Sequence, residues 1–305
     1  MSIVSTVRGS LGLKVSLKLA VLLVALTAIA AVILLTTQTR QMEELTLEKA
    51  KVAAAIGARQ YGDFFDNAID GGQATVADVF DRNYVEIKGY EFSGKPKFHT
   101  RYDAITDKAV LVFQDKFLEQ EDFTFAVGVD ENGYLPTHNS RFQKAVTGDA
   151  AQDLAGNRTK RIFADPVGIA AAKNREPSLV QVYQRDTGET MWDVSSPIVV
   201  KGKHWGGFRV AVSMERIQGR QRHLLLVLGG IFGIFTIVTL GALFLVVQAA
   251  MRPVVHLTES ARQIGLGEAL DVHITATSDD EIGQLTKTID RLRVSMRAAM
   301  ERLGH

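Results

Sequence analysis

The sequence predicts an α+β protein held in a membrane by two helices, on three observations. Two apolar blocks without charge occupy residues 19–35 and 224–247. Between them, five short runs with strand patterning, separated by turn-forming residues, predict a five-stranded antiparallel sheet behind a long helix. Beyond the second block, apolar residues recur at heptad spacing up to Leu303.

Composition limits the function classes. The chain has 305 residues with 35 Lys+Arg against 34 Asp+Glu. That balance excludes a generally basic nucleic-acid binder and an acidic disordered tail, so no nucleic-acid partner is expected. There is no cysteine, which excludes disulfides, thiolate metal sites and haem attached through Cys-x-x-Cys-His. No cofactor is expected.

The elements follow in order. Residues 1–14 form an N-terminal flank in which Arg8 and Lys14 stand without an acid, and Lys18 follows within the span. Residues 15–36 form the first span, whose run from Leu19 to Leu35 has Thr27 as its one polar residue. The basic flank places residue 1 in the cytoplasm. Ala28-Ile29-Ala30 also fits a signal-peptidase site, but it lies inside the apolar run, so an uncleaved anchor is expected. Residues 223–250 form the second span, whose charge-free run from Leu224 to Val247 is about 36 Å of helix at 1.5 Å per residue. Gly229 and Gly233 there form a Gly-x-x-x-Gly pair, which suits helix packing in lipid or simply reflects the abundance of glycine in membrane helices. Two spans leave residues 37–222 outside the cytoplasm and residues 251–305 inside. Arg216, Arg220 and Arg222 crowd the outer end of the second span and argue mildly against this orientation. The bacterial inner membrane is the expected location, with the intervening domain in the periplasm.

Within residues 37–222, Glu43 to Ala68 reads as a long helix continuing the first span and broken by Gly71-Gly72. Thr75 to Phe80 and Ala104 to Leu118 are further helical segments. Strands are expected at Phe123–Val129, Tyr134–His138, Leu179–Arg185, Thr190–Val200 and Trp205–Ser213, with Asn132-Gly133 as a hairpin turn. Asp165 and Pro166 start a helix running to about Lys173.

In residues 251–305, Arg252-Pro253 is expected to stop the membrane helix and start a new one. Val254, Leu257, Ala261 and Ile264 follow at helical spacing, and Gly265 and Gly267 end that helix. Leu270, Val272 and Ile274 alternate in a connector. Ser278-Asp279-Asp280-Glu281 opens a second helix. There, Ile282, Leu285, Ile289, Leu292, Met296, Ala299 and Leu303 fill successive a and d positions. A stripe of this kind needs a partner, and a parallel dimer with four helices supplies one.

The C-terminal pattern resembles the HAMP domain of bacterial receptors and sensor kinases. Pro253, the glycine-ended first helix, the Leu270/Val272/Ile274 connector and Asp280-Glu281-Ile282-Gly283-x-Leu285 carry the resemblance. It implies a parallel four-helix bundle in a homodimer, with Pro253, Gly267 and Glu281 as relay residues. Glu281 would hold the second helix against the start of the first. The middle segment has the element order of a PAS-like or single Cache sensor domain. Phe125-Ala126-Val127-Gly128-Val129-Asp130, Gly133-Tyr134-Leu135-Pro136-Thr137-His138-Asn139, Asn157-Arg158-Thr159-Lys160-Arg161 and His204-Trp205-Gly206-Gly207-Phe208-Arg209 resemble the extracytoplasmic domains of some methyl-accepting chemotaxis receptors. Such receptors continue into a long cytoplasmic coiled coil. This sequence stops at His305, so either a cytoplasmic signalling protein or a full-length receptor is the expected output partner, or the chain is a natural truncation.

Candidate binding residues are His138, Tyr183, Arg185, Trp192, Asp193, Trp205 and Arg209. Aromatic rings with guanidinium and carboxylate groups suit a small organic anion or amino acid. Core aromatics with surface charges is the plainer reading. Period-two alternation puts Tyr183 with Arg185, and Trp205 with Arg209, on shared strand faces. Arg158, Lys160 and Arg161 suit a carboxylate or phosphate, but a solvated loop or an internal salt-bridge set is the plainer reading. The isolated histidines provide no metal-ligand spacing, and no catalytic constellation is visible, so neither a metal site nor an enzyme is expected. The expected function is a transmembrane sensor subunit that binds a small ligand outside. The alternative is a scaffold that pairs through its HAMP domain and binds nothing.

Overall fold

The computed structural model describes residues 11–89 and 95–303. Arg8, the remainder of residues 1–10, and His305 lie outside the described residues, as does the side chain of Leu303. The chain divides into two units, Thr36–Leu225 and Met1–Leu35 with Leu226–His305.

In chain order the helices and strands are α1 (Leu11–Asp70), α2 (Val76–Val79), β1 (Val85–Ile87), β2 (Lys97–His99), α3 (Asp103–Lys116), β3 (Phe123–Asp130), β4 (Tyr134–Leu135), α4 (Ala150–Gly156), β5 (Arg161–Ile162), α5 (Pro166–Lys173), β6 (Leu179–Gln184), β7 (Thr190–Val200), β8 (Lys203–Ser213), α6 (Met214–Gly265) and α7 (Glu281–Leu303). Both α1 and α6 contain stretches long and apolar enough to cross a membrane. No proline interrupts α1, and it runs unbroken past its apolar half into the folded domain, as expected for Glu43–Ala68.

The central sheet of the Thr36–Leu225 unit is antiparallel with four strands, in the order β3-β8-β7-β6. The expected fifth strand is corrected: Tyr134–Leu135 leaves this sheet and pairs with Arg161–Ile162. The buried carboxylate of Asp130 causes the departure. Its Oδ1 accepts the backbone N–H of Asn132 at 3.0 Å and of Tyr134 at 2.9 Å. Gly133 supplies the positive φ, 80°, that this tight turn requires. Side-chain capture of the backbone therefore replaces the hairpin ladder. The other carboxylate oxygen accepts the hydroxyls of Tyr84 at 2.7 Å and Tyr102 at 3.0 Å.

One face of the sheet packs on α1 and α3. Ala50, Ala54, Ala58, Tyr61 and Phe65 of α1 recur at helical spacing and meet Val194, Ile198, Trp205, Phe208 and Val210 in one core. Burying a large apolar side chain contributes about 1.5–3 kcal/mol, so this face dominates the stability of the domain. The other face carries a smaller core of Phe125, Val127, Val129, Leu135, Tyr183, Met191 and Ala211, covered by Phe142, Phe163, Val167 and Ala172.

The expected shared face of Trp205 and Arg209 is also corrected. Ile198 opposes Gly206 while Val199 opposes His204, which leaves Trp205 as an extra residue in a bulge. The bulge shifts the alternation by one. Trp205 enters the α1 core, its indole N–H donating to the Val79 carbonyl at 2.8 Å, while Arg209 faces the smaller core. Two of the three arginines that precede the second apolar block, Arg216 and Arg220, are bound within this unit. Arg220 pairs with Asp122, and Arg216 donates to the Glu121 carbonyl at 2.6 Å.

In the other unit, α6 continues through Pro253 to Gly265, so Pro253 does not break the helix as expected. Proline removes one backbone N–H bond and favours a kink, and a long helix tolerates one such loss. Gly267, at φ 79°, turns the chain into the connector. Along α7, Leu285 and Leu292 of the heptad stripe are 44% and 57% exposed in the single chain.

Candidate functional site

On the sheet face away from α1, a small cavity of about 20 Å³ is lined by Phe125, Val127, Val129, Leu135, His138, Arg158, Phe163, Tyr183 and Arg209. That volume holds about one water. The sheet supplies Phe125, Val127 and Val129 from β3, Tyr183 from β6 and Arg209 from β8. The segment from β4 through β5 supplies Leu135, His138, Arg158 and Phe163.

The polar groups at this cavity are nitrogen donors together with one phenol. Arg209 is buried and donates through Nε to Asp193 at 3.0 and 3.2 Å. One terminal nitrogen of Arg209 has no hydrogen-bond partner among the described residues. The guanidinium lies 5.3 Å from the Tyr183 ring centre and 5.7 Å from that of Phe125. Burial pushes the Asp193 carboxyl up, and Arg209 opposes that rise.

His138 is buried against Phe125 and Phe142. Its Nδ1 accepts the Asn139 backbone N–H at 2.8 Å. Burial, with Arg158, Arg185, Arg141 and Arg209 nearby, holds its pKa well below the ordinary value. A neutral ring with Nδ1 accepting carries its proton on Nε2 and is a donor there. Asn139 itself is a clamp. Its Oδ1 accepts the Ala126 N–H at 2.9 Å and its Nδ2 donates to the Gln114 carbonyl at 3.0 Å.

Arg158 is the residue that sequence reasoning underweighted. Its side chain is buried, donating to the Leu154 carbonyl at 3.0 Å and to Asp186 at 2.7 Å. Lys160 pairs with Asp103 and Asp107. The basic segment is thus an internal salt-bridge set rather than a solvated loop. The only sequence signal for this was the density of basic residues beside Asn157.

Of the expected binding residues, His138, Tyr183 and Arg209 line the cavity together, and Asp193 holds Arg209 in place. Arg185 lines a neighbouring open cleft of about 530 Å³ with Arg141, Phe142, Lys144 and Glu189. Trp192 and Trp205 lie on the opposite face, against the α1 core.

The connector before α7 is tied down side chain by side chain. Asp290 Oδ1 accepts the Ile274 N–H at 3.1 Å, and Asp290 Oδ2 lies 2.9 Å from His273 Nδ1. Arg293 donates to Asp290 at 2.8 Å and to the Leu270 carbonyl at 2.6 Å. The start of α7 is capped by Asp280, whose Oδ1 accepts the N–H groups of Ile282 and Gly283, each at 3.0 Å. The HAMP domain family matches this region. Residues 245–298 are a HAMP domain. In this HAMP domain the Glu281 side chain makes no hydrogen bond or ion pair among the described residues, and Asp280 performs the capping. Gly283 is fixed by contact, since a Cβ there would collide with the Ser278 carbonyl.

No curated protein sequence matches the chain. Three solved structures are similar in part. The E. coli DcuS sensor domain shares 19% identity over 38% of this chain and 73% of that one, at TM-score 0.28. An extracellular domain ascribed to a histidine kinase, vpHK1S-Z8, shares 16% identity over 60% and 62%, at TM-score 0.26. A domain ascribed to a sensory box/GGDEF family protein from Vibrio parahaemolyticus shares 16% over 56% and 61%, at TM-score 0.25. At these scores the three likenesses carry no argument about what this chain binds.

Proposed function

We propose that the chain is a membrane-anchored sensor subunit whose outer domain takes a small anion and whose HAMP domain passes the change to a cytoplasmic partner. The observation that carries this reading is the cavity beside Arg158, Arg209 and His138. A donor-rich, buried site with an unpartnered guanidinium nitrogen favours an oxygen acceptor with negative charge over a cation. The reading is of a PAS/Cache-like domain in the periplasm, of α1 and α6 spanning the inner membrane, and of no catalytic chemistry in the chain itself.

Exposure of Leu285 and Leu292 supports a homodimer, because a second copy would cover the stripe in a four-helix bundle. The ligand acts by its differential affinity for two arrangements of that bundle. A coupling of about 1–3 kcal/mol biases output roughly 5- to 150-fold. Calorimetric titration of the full-length protein in nanodiscs with acetate, malonate, phosphate and glycine tests the ligand class. Saturable heat with an anion, lost in Arg209→Gln, is expected. Binding of glycine with no response to any anion would refute the anion assignment.

A second reading has its own observation. A cavity with room for about one water suits a scaffold that pairs through HAMP with a full-length receptor or kinase and senses nothing itself. Pull-down of such a chain, with no heat from any titrant, would favour it.

A further inference from the structure

Phe142 lines the open cleft and packs on His138, a wall of the small cavity. Its ring centre lies 4.6 Å from that of His138, which lines the small cavity. The Arg185 guanidinium sits 4.5 Å over the same ring and lines the open cleft. We propose that Phe142 is a movable partition between cavity and cleft. A carboxylate- or phosphate-type oxyanion enters from the cleft when the ring swings aside, and is then held by Arg185, Arg209 and His138. This inference rests on the anion reading above and adds the route and a second guanidinium to it.

Three features support it. The Arg185 side chain is only 4% exposed, yet its Nε and one terminal nitrogen have no hydrogen-bond partner among the described residues. With the unpartnered nitrogen of Arg209, the closed arrangement buries three unmatched donor atoms, which is unfavourable until an acceptor arrives. The surroundings of Phe142 are fixed while the ring has somewhere to go. Asn139 is bound to β3 and α3, one terminal nitrogen of Arg158 is bound to the Leu154 carbonyl and Asp186, and Glu189 holds the far end of Arg185 at 2.8 Å. Phe142 itself ends a single three-residue turn beside about 530 Å³ of open cleft.

The test is chemical footprinting of the full-length protein in nanodiscs with diethyl pyrocarbonate, which modifies a neutral imidazole that it can reach. Modification of His138 is read by mass spectrometry, with His204 as the internal reference for an intact fold. Phe142→Ala is expected to speed His138 modification at least about tenfold, equivalent to ~1.4 kcal/mol in the opening equilibrium, with His204 unchanged. Phe142→Leu is the second variant should His204 also accelerate in the alanine protein. Malonate or phosphate is expected to slow His138 modification, and Arg185→Gln to weaken that protection. An unchanged His138 rate in both Phe142 variants overturns the partition. Acceleration that neither anion slows leaves the partition standing and overturns the anion reading.

Discussion

Arg209 and Asp193 pair diagonally across adjacent strands with both side chains buried, Nε to Oδ1 at 3.0 Å. The pair holds the guanidinium against Tyr183 and Phe125, so it sets the electrostatics of the cavity. Asp193→Asn would leave a buried cation without its counter-charge, at a cost of about 3–5 kcal/mol. A fall in the thermal unfolding midpoint of the full-length protein is the expected result. Replacing both residues, Asp193→Leu with Arg209→Met, should recover most of that loss. Equal stability of Asp193→Asn and wild type would show that the pair contributes nothing.

Lys97 predicts a distinct pH dependence. Burial, with Arg161 and Lys160 close by, lowers its ammonium from 10.5 to about 8. Between those values the unfolded chain binds the proton and the folded chain releases it, so stability rises with pH across that window. The contribution is fully present above 10.5 and is lost as pH falls through about 8. Denaturation midpoints measured from pH 7 to 10.5 should climb in wild type relative to Lys97→Met. Parallel profiles would contradict the lowered value.

Gly206 and Gly207 follow the Trp205 bulge and let other backbone segments approach strand β8 closely. A Cβ at Gly206 would strike the Val129 carbonyl, and one at Gly207 the Ala171 carbonyl. Alanine at either position should cost about 1–3 kcal/mol, because backbone and not a flexible side chain must yield. Gly219 in α6 has nothing within 4 Å of such a Cβ. Gly219→Ala should therefore be neutral or stabilising by about 0.5–1 kcal/mol. Unfolding midpoints of the three variants give the order directly.

Asp290 concentrates the hold on the HAMP connector. Asp290→Ala removes the acceptor for Ile274 N–H and the partner of His273 and Arg293. Loss of about 1 kcal/mol of local stability is expected. Hydrogen exchange should show faster exchange at Ile274, with the middle of α7 unchanged. Retained protection at Ile274 would place the hold elsewhere.

Periodicity carried the helices because a 3.6-residue repeat of apolar side chains survives whatever packs on it. It placed α1, α3, α5 and the four long strands within a few residues. It failed where one side chain redirects the backbone. Asp130 turns β4 out of the sheet, and the Trp205 bulge inverts which face Arg209 occupies; neither changes the local alternation of residue types. His138, Tyr183 and Arg209 were legible as a polar and aromatic set. Phe142 was not, because a lone phenylalanine in a turn has no pattern, and its role comes from residues that the fold brings to it. Arg158 was hidden by its own neighbours, since a basic run reads alike whether solvated or buried against Asp186.

Strand β8 ends at Ser213 and helix α6 begins at Met214. No residue lies between them to absorb strain. A flexible tether would dissipate small displacements, whereas this junction has no slack. Because β8 is hydrogen-bonded on both sides, to β3 and β7, it cannot slide alone. A change at Arg209 that tilts or twists the strand therefore meets the first turn of α6 with no loop between to absorb it, as a crank meets its shaft.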